Sequence, residues 1–230
     1  MASQINVVLV HGAWADAFAS WSKVIPLLWE KGLKVAAVQL PLTSLADDIT
    51  VVKNALSSHA GPTAIVGHSY GGAVITGAAD GMPNVKALVY ITAFGLAEGE
   101  SLESLSQQGP PPAGARFIKP DAHGFLWIDR EGFATAFAAD VDPAYSAVMA
   151  VTQKPLSLKS FADKAGPPAW KHIPSWYLVS EKDHMIPPAA QQFMAARMKA
   201  TVRSVDASHA SMASHPKEVA DIISSAALTK

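Results

Sequence analysis

Six strand-length apolar runs recur along this chain, at residues 5–10, 35–39, 63–66, 86–92, 174–180 and 201–205. Several are apolar at nearly every position, so both of their faces must be covered. Helix-length segments supply that cover: 18–31, 45–58, the stretch opened by Ala73, 188–198 and 217–228. This alternation predicts an α/β fold built on a doubly wound, mostly parallel sheet of about six strands. Local signals support the helix ends. Ser44 is placed to cap the second helix, with Asp47 and Asp48 in its favourable first turn. Gly32 is a terminator for the first, and Pro26 marks a kink or shortening within it.

The rhythm breaks between residues 95 and 170. That interval holds eight of the sixteen prolines and the aromatics Phe117, Phe125, Trp127, Phe133, Phe137, Tyr145, Phe161 and Trp170. Residues 131–139 and 144–151 are short helix candidates. The segment is expected to be a small helical cap inserted after the fourth strand. Residues 1–94 and 171–230 then form the core, and 95–170 the cap. Sheet elements flank the insertion, so one folding unit is expected. Some of its aromatics would stabilise the cap and others line an apolar pocket.

Composition narrows the function. Eighteen basic and nineteen acidic residues give a formal charge of −1, and no Lys/Arg run stands out. Nothing there favours nucleic acid or an anionic membrane as partner. The absence of cysteine removes disulfides, thiolate catalysis and Cys-ligated zinc. No run approaches a membrane span or a signal-peptide core, so a cytoplasmic location is the default expectation. No motif speaks to self-association, and a homo-oligomer stays open.

Chemistry enters at residues 65–73, Ile-Val-Gly-His-Ser-Tyr-Gly-Gly-Ala. Gly67-His68-Ser69-Tyr70-Gly71 has the Gly-x-Ser-x-Gly pattern of a nucleophile elbow, with a strand before it and a helix after it. A serine hydroxyl needs a base to take its proton and an acid to orient that base. Asp183 follows the fifth run and His209 the sixth, in the order Ser, Asp, His that this arrangement requires. All three belong at carboxyl ends of strands, where open α/β sheets place their sites. His215 is the local rival of His209; Glu181 and Asp206 are weaker substitutes for Asp183. An Asp–His–His metal site lacks recognised ligand spacing, and no cofactor is called for. The backbone N–H groups of Ala13 and Tyr70 are candidate oxyanion donors. Gly12, Trp14, His68, Phe94, Phe125 and Trp127 are candidate pocket residues, with His68 packing or shaping the pocket rather than moving a proton.

Val10-His11-Gly12-Ala13-Trp14, the serine elbow, Asp183 with Ile186-Pro187, and Ser208-His209 resemble the α/β-hydrolase superfamily. The resemblance is nearest to small bacterial esterases and the plant methylesterase and hydroxynitrile-lyase branch. It implies Ser69 as nucleophile, His209 as base and Asp183 as its partner, beneath a cap. The lyases commonly carry a threonine after the first-strand histidine and a lysine after the catalytic one. Here those positions are Gly12 and Ala210, which favours a serine carboxylesterase for small, largely apolar esters. An amidase, a lactonase, a carbon–carbon hydrolase and a noncatalytic small-molecule receptor remain the alternatives.

Overall fold

A computed structural model describes residues 5–229; the ends of the expected core range, 1–4 and 230, lie outside them. The chain opens with β1 (Asn6–Val10), α1 (Ala17–Trp21), α2 (Ile25–Glu30), β2 (Lys34–Val38), α3 (Leu45–Ser57), β3 (Thr63–His68), α4 (Tyr70–Ala78) and β4 (Val85–Ile91). Next come α5 (Leu102–Ser106), β5 (Ile118–Pro120), β6 (Phe125–Ile128), α6 (Arg130–Phe137), α7 (Pro143–Thr152), β7 (Leu156–Ser157) and α8 (Leu158–Ala162). The chain returns to β8 (Ser175–Ser180), α9 (Pro188–Arg197), β9 (Thr201–Val205), α10 (Ser211–Ser214) and α11 (Pro216–Leu228).

The main sheet has the order β2-β1-β3-β4-β8-β9, and every pairing is parallel. β1, β3 and β8 are buried at each residue, whereas the edge strands β2 and β9 are largely open. That gradient explains why the central runs are the most uniformly apolar. The strand order reverses at β1. There Val10 pairs with Gly67, so the segments leaving β1 and β3 emerge side by side at the carboxyl edge.

Two expectations need correction. The single helix over 18–31 is two helices, separated at residues 22–24. Pro26 is the second residue of α2, where its missing N–H leaves no helical bond unmade. The cap is not purely helical. It holds a three-stranded antiparallel sheet, β5-β6-β7, as well as helices. Its strands are two to four residues long, too short to display an alternating pattern in sequence. Among the described residues no helix is long and apolar enough to cross a membrane.

Candidate active site

Ser69 lies between β3 and α4 with φ 53° and ψ −123°, a conformation that L-residues rarely adopt. The turn closes tightly enough that a Cβ on Gly67 would stand 2.5 Å from the Gly71 carbonyl oxygen. Glycine at that position is therefore a steric requirement. The strained turn projects the Ser69 hydroxyl toward the loops that follow β8 and β9. His209 Nε2 is 2.9 Å from Ser69 Oγ, and His209 Nδ1 is 2.8 Å from Asp183 Oδ2. A carboxylate only accepts, so in the neutral imidazole the proton sits on Nδ1. Nε2 is then free to accept from the serine. The His209 and Asp183 side chains are fully buried and Ser69 is only 3% exposed.

Asp183 is held on all sides. Its Oδ1 accepts from the N–H groups of Met185 (2.6 Å) and Ile186 (3.1 Å). Its Oδ2 accepts from Gln191 Nε2 (2.9 Å) as well as from His209. The rivals are engaged elsewhere. Asp206 pairs with Lys182 at the surface, and His215 faces Asp140. Gln191 was not anticipated. It is fully buried on α9, and its Oε1 accepts from the Ser180 N–H (3.0 Å). Nothing in the local sequence marks it, because its partners lie on β8 and the loop that follows.

The N–H of Tyr70 opens α4, and that of Ala13 follows β1. No hydrogen bond among the described residues engages either of them. His11, unassigned from sequence, steadies the second strand end. Its Nε2 accepts from the Leu40 N–H (2.9 Å) and its Nδ1 donates to the Gly12 carbonyl (2.7 Å), which belongs to the peptide carrying the Ala13 N–H. Burial pulls the His11 pKa down to about 4, keeping the ring neutral. A Cβ on Gly12 would stand 2.7 Å from Ser69 Cβ, so glycine is what lets the two strand ends meet.

A cavity of about 240 Å³ opens onto Ser69. Trp14, Tyr70, Phe94 and Phe161 are among its walls. Of the six candidate pocket residues, Trp14 and Phe94 line it, while Gly12 abuts Ser69 without doing so. His68 lies below the site. Its Nε2 donates to the His209 carbonyl (2.9 Å), and its ring centroid is 4.8 Å from that of His209. Burial, then the neighbouring His209, holds its pKa well below the ordinary value. Phe125 and Trp127 on β6 are not among the lining residues; Trp127 points outward and donates to Asp121 (2.9 Å). Their contribution is to the cap itself, whereas Phe161 on α8 reaches the cavity.

Asp48 lies in the first turn of α3, as expected, and is fully buried there. Its carboxylate accepts from Tyr70 Oη (2.5 Å) and the Leu42 N–H (2.8 Å). Burial raises its pKa to about 6 despite those bonds. A signal was present: Leu45, Asp48, Val52 and Leu56 form one buried stripe at helical spacing.

The alpha/beta hydrolase family model matches residues 7–222. This chain belongs to the alpha/beta hydrolase family. A carbendazim hydrolyzing esterase from Nocardioides sp. (strain SG-4G) is 33% identical over 127 residues, spanning 49% of this hydrolase and 52% of the relative. The crystal structure of a pyrethroid hydrolase from Sphingobium faniae JZ-2 superposes with a TM-score of 0.83 at 26% identity, covering 96% and 97% of the two chains. A methylesterase from Arabidopsis shares the fold, with a TM-score of 0.79 at 20% identity over 96% and 98% of the chains. The buried Ser69–His209–Asp183 arrangement of this hydrolase is the triad of a serine hydrolase. Among the described residues no cluster of His, Asp and Glu suits a metal ion.

Proposed function

We propose that this hydrolase is a serine carboxylesterase acting on small, largely apolar esters. One observation carries the reading: an unbroken hydrogen-bonded chain from the Ser69 hydroxyl through His209 to a fully satisfied Asp183 carboxylate. In the cycle, Ser69 attacks the ester carbonyl as His209 takes its proton. The oxyanion is met by the Ala13 and Tyr70 N–H groups, which need no reorganisation to receive it. His209 then protonates the departing alcohol. Water, activated by the same imidazole, attacks the acyl-enzyme and releases the acid. Asp183 stays ionised and fixes the ring. The cycle draws on no cofactor. Two relatives are named for hydrolysing carbendazim and pyrethroids, which supports a neutral organic substrate.

The test compares turnover of p-nitrophenyl acetate by the wild type and Ser69→Ala, together with labelling by a serine-reactive phosphonate. The wild type should turn over and take up one phosphonyl group on Ser69. The variant should lose activity by several orders of magnitude and take up none. Undiminished hydrolysis by the variant would reject the covalent mechanism.

A further inference from the structure

A second cavity, of about 460 Å³, adjoins the one at Ser69. The two share Phe94, Ser106, Pro112, Met185 and Ile186 as walls, so they lie against each other across these residues. Beyond these shared walls the larger cavity runs between α9 and the proline-containing segment after α5, lined by Leu105, Pro110, Ala190, Phe193 and Met194. Among the described residues no charged side chain lines either cavity. The nearby Arg197 is already spent: its guanidinium binds Glu100 through Nη1 (2.7 Å) and Nη2 (2.6 Å), and Nη2 also donates to the Gly95 carbonyl. It lies 5.3 Å from the centre of the Phe193 ring, which stays 55% exposed at the rim.

We infer that this second cavity is a substrate subsite, taking an extended apolar half of an ester whose carbonyl sits at Ser69. The inference rests on the esterase reading and refines its substrate class. The preferred ester is neutral, with one compact half and one long apolar half, rather than small throughout. Three observations support it. The cavity at Ser69, about 240 Å³, falls below the roughly 300–1,000 Å³ typical of sites that enclose a drug-sized ligand, so an ester of that size needs the adjoining space as well. Met185 and Ile186, which line both cavities, donate their N–H groups to Asp183, so the boundary between the cavities is built into the catalytic frame. The uncharged lining gives an ionised chain no counter-charge for its desolvation.

The experiment measures kcat/KM for two ester series. In one the acyl half grows from two to eight carbons on a fixed short alcohol; in the other the alcohol grows on a fixed acetyl group. One series should gain at least tenfold overall, approaching about fourfold for each methylene that is fully buried. Ala190→Trp, at an exposed position of α9, should fill the cavity and cut that gain to under threefold. Phe193→Ala should reduce it by removing a wall. Circular dichroism and phosphonate labelling of Ser69 establish that each variant is folded and competent. A flat response in both series, or a gain that survives Ala190→Trp, overturns the subsite. Wild-type protein that turns over no ester, short or long, overturns the esterase reading instead.

Discussion

Asp48 and His11 are buried ionisable residues that bias stability in opposite directions over the same pH range. Burial raises the Asp48 pKa from 3.8 to about 6. Between those values the folded chain keeps a proton that the unfolded chain has released, so its stability falls as pH rises from about 4 to about 6. Burial lowers the His11 pKa from 6.5 to about 4. Here the unfolded chain gains the proton first, so stability falls as pH drops from about 6.5 to about 4. Each effect is on the order of 3 kcal/mol, and in the wild type they offset. Asp48→Asn removes one side of the balance. Its stability relative to wild type should increase by about 2 kcal/mol between pH 4.5 and pH 7, read from urea denaturation of both proteins at each pH. A difference that does not change with pH would mean that Asp48 is ionised throughout. Much of the site was legible at this scale because Ser69, Asp183 and His209 each follow an apolar run in the required order. The roles of His11 and Gln191, and the bonding of Asp48, were not, because they consist of bonds to distant backbone and side-chain groups.

At the scale of elements, α4 sacrifices its own stability to the chemistry. A helix N-terminus is ordinarily capped by a side chain that accepts from its first N–H groups. Ser44, Asp16 and Ser157 do this for α3, α1 and α8. Ser69 occupies the cap position of α4 but makes no such bond; its hydroxyl is directed at His209. Its positive φ adds strain of about 1–3 kcal/mol for a residue bearing a Cβ. Ser69→Gly should therefore be more stable than Ser69→Ala by at least about 1 kcal/mol, although neither variant can turn over ester. Denaturant midpoints of the two proteins, at equal m-values, decide it. Equal stability would show that the turn carries no Cβ penalty. The main-sheet strands and the longer helices were readable because each is long enough to display its burial in its own residues. β5, β6 and β7 were not. β6 and β7 are joined across two intervening helices, and only the folded cap brings Phe125 opposite Ser157.

Across the whole molecule, the cap is fastened to the loops that build the site. After β1, the Trp14 N–H donates to the Lys154 carbonyl (2.9 Å) and its indole to the Leu126 carbonyl (2.8 Å). After β2, Leu42 and Thr43 offer carbonyls to the N–H and hydroxyl of Ser157 (3.0 and 2.7 Å). The Gly114 N–H donates to the His184 carbonyl, beside Asp183 (2.8 Å), and Ser208, beside His209, donates to Asp140. Phe137 on α6 packs edge-on to the His209 ring at 4.8 Å. A cap tied at these points cannot open without loosening Trp14, the Asp183 loop and the His209 loop together. The amides of β6 should therefore exchange hydrogen only when the core does. In native-state exchange with increasing urea, Leu126 and Ile128 should merge onto the same opening isotherm as the β3 amides. If they instead open with a free energy lower by 2 kcal/mol or more and little urea dependence, the cap is a separate cooperative unit, and active-site geometry survives its detachment.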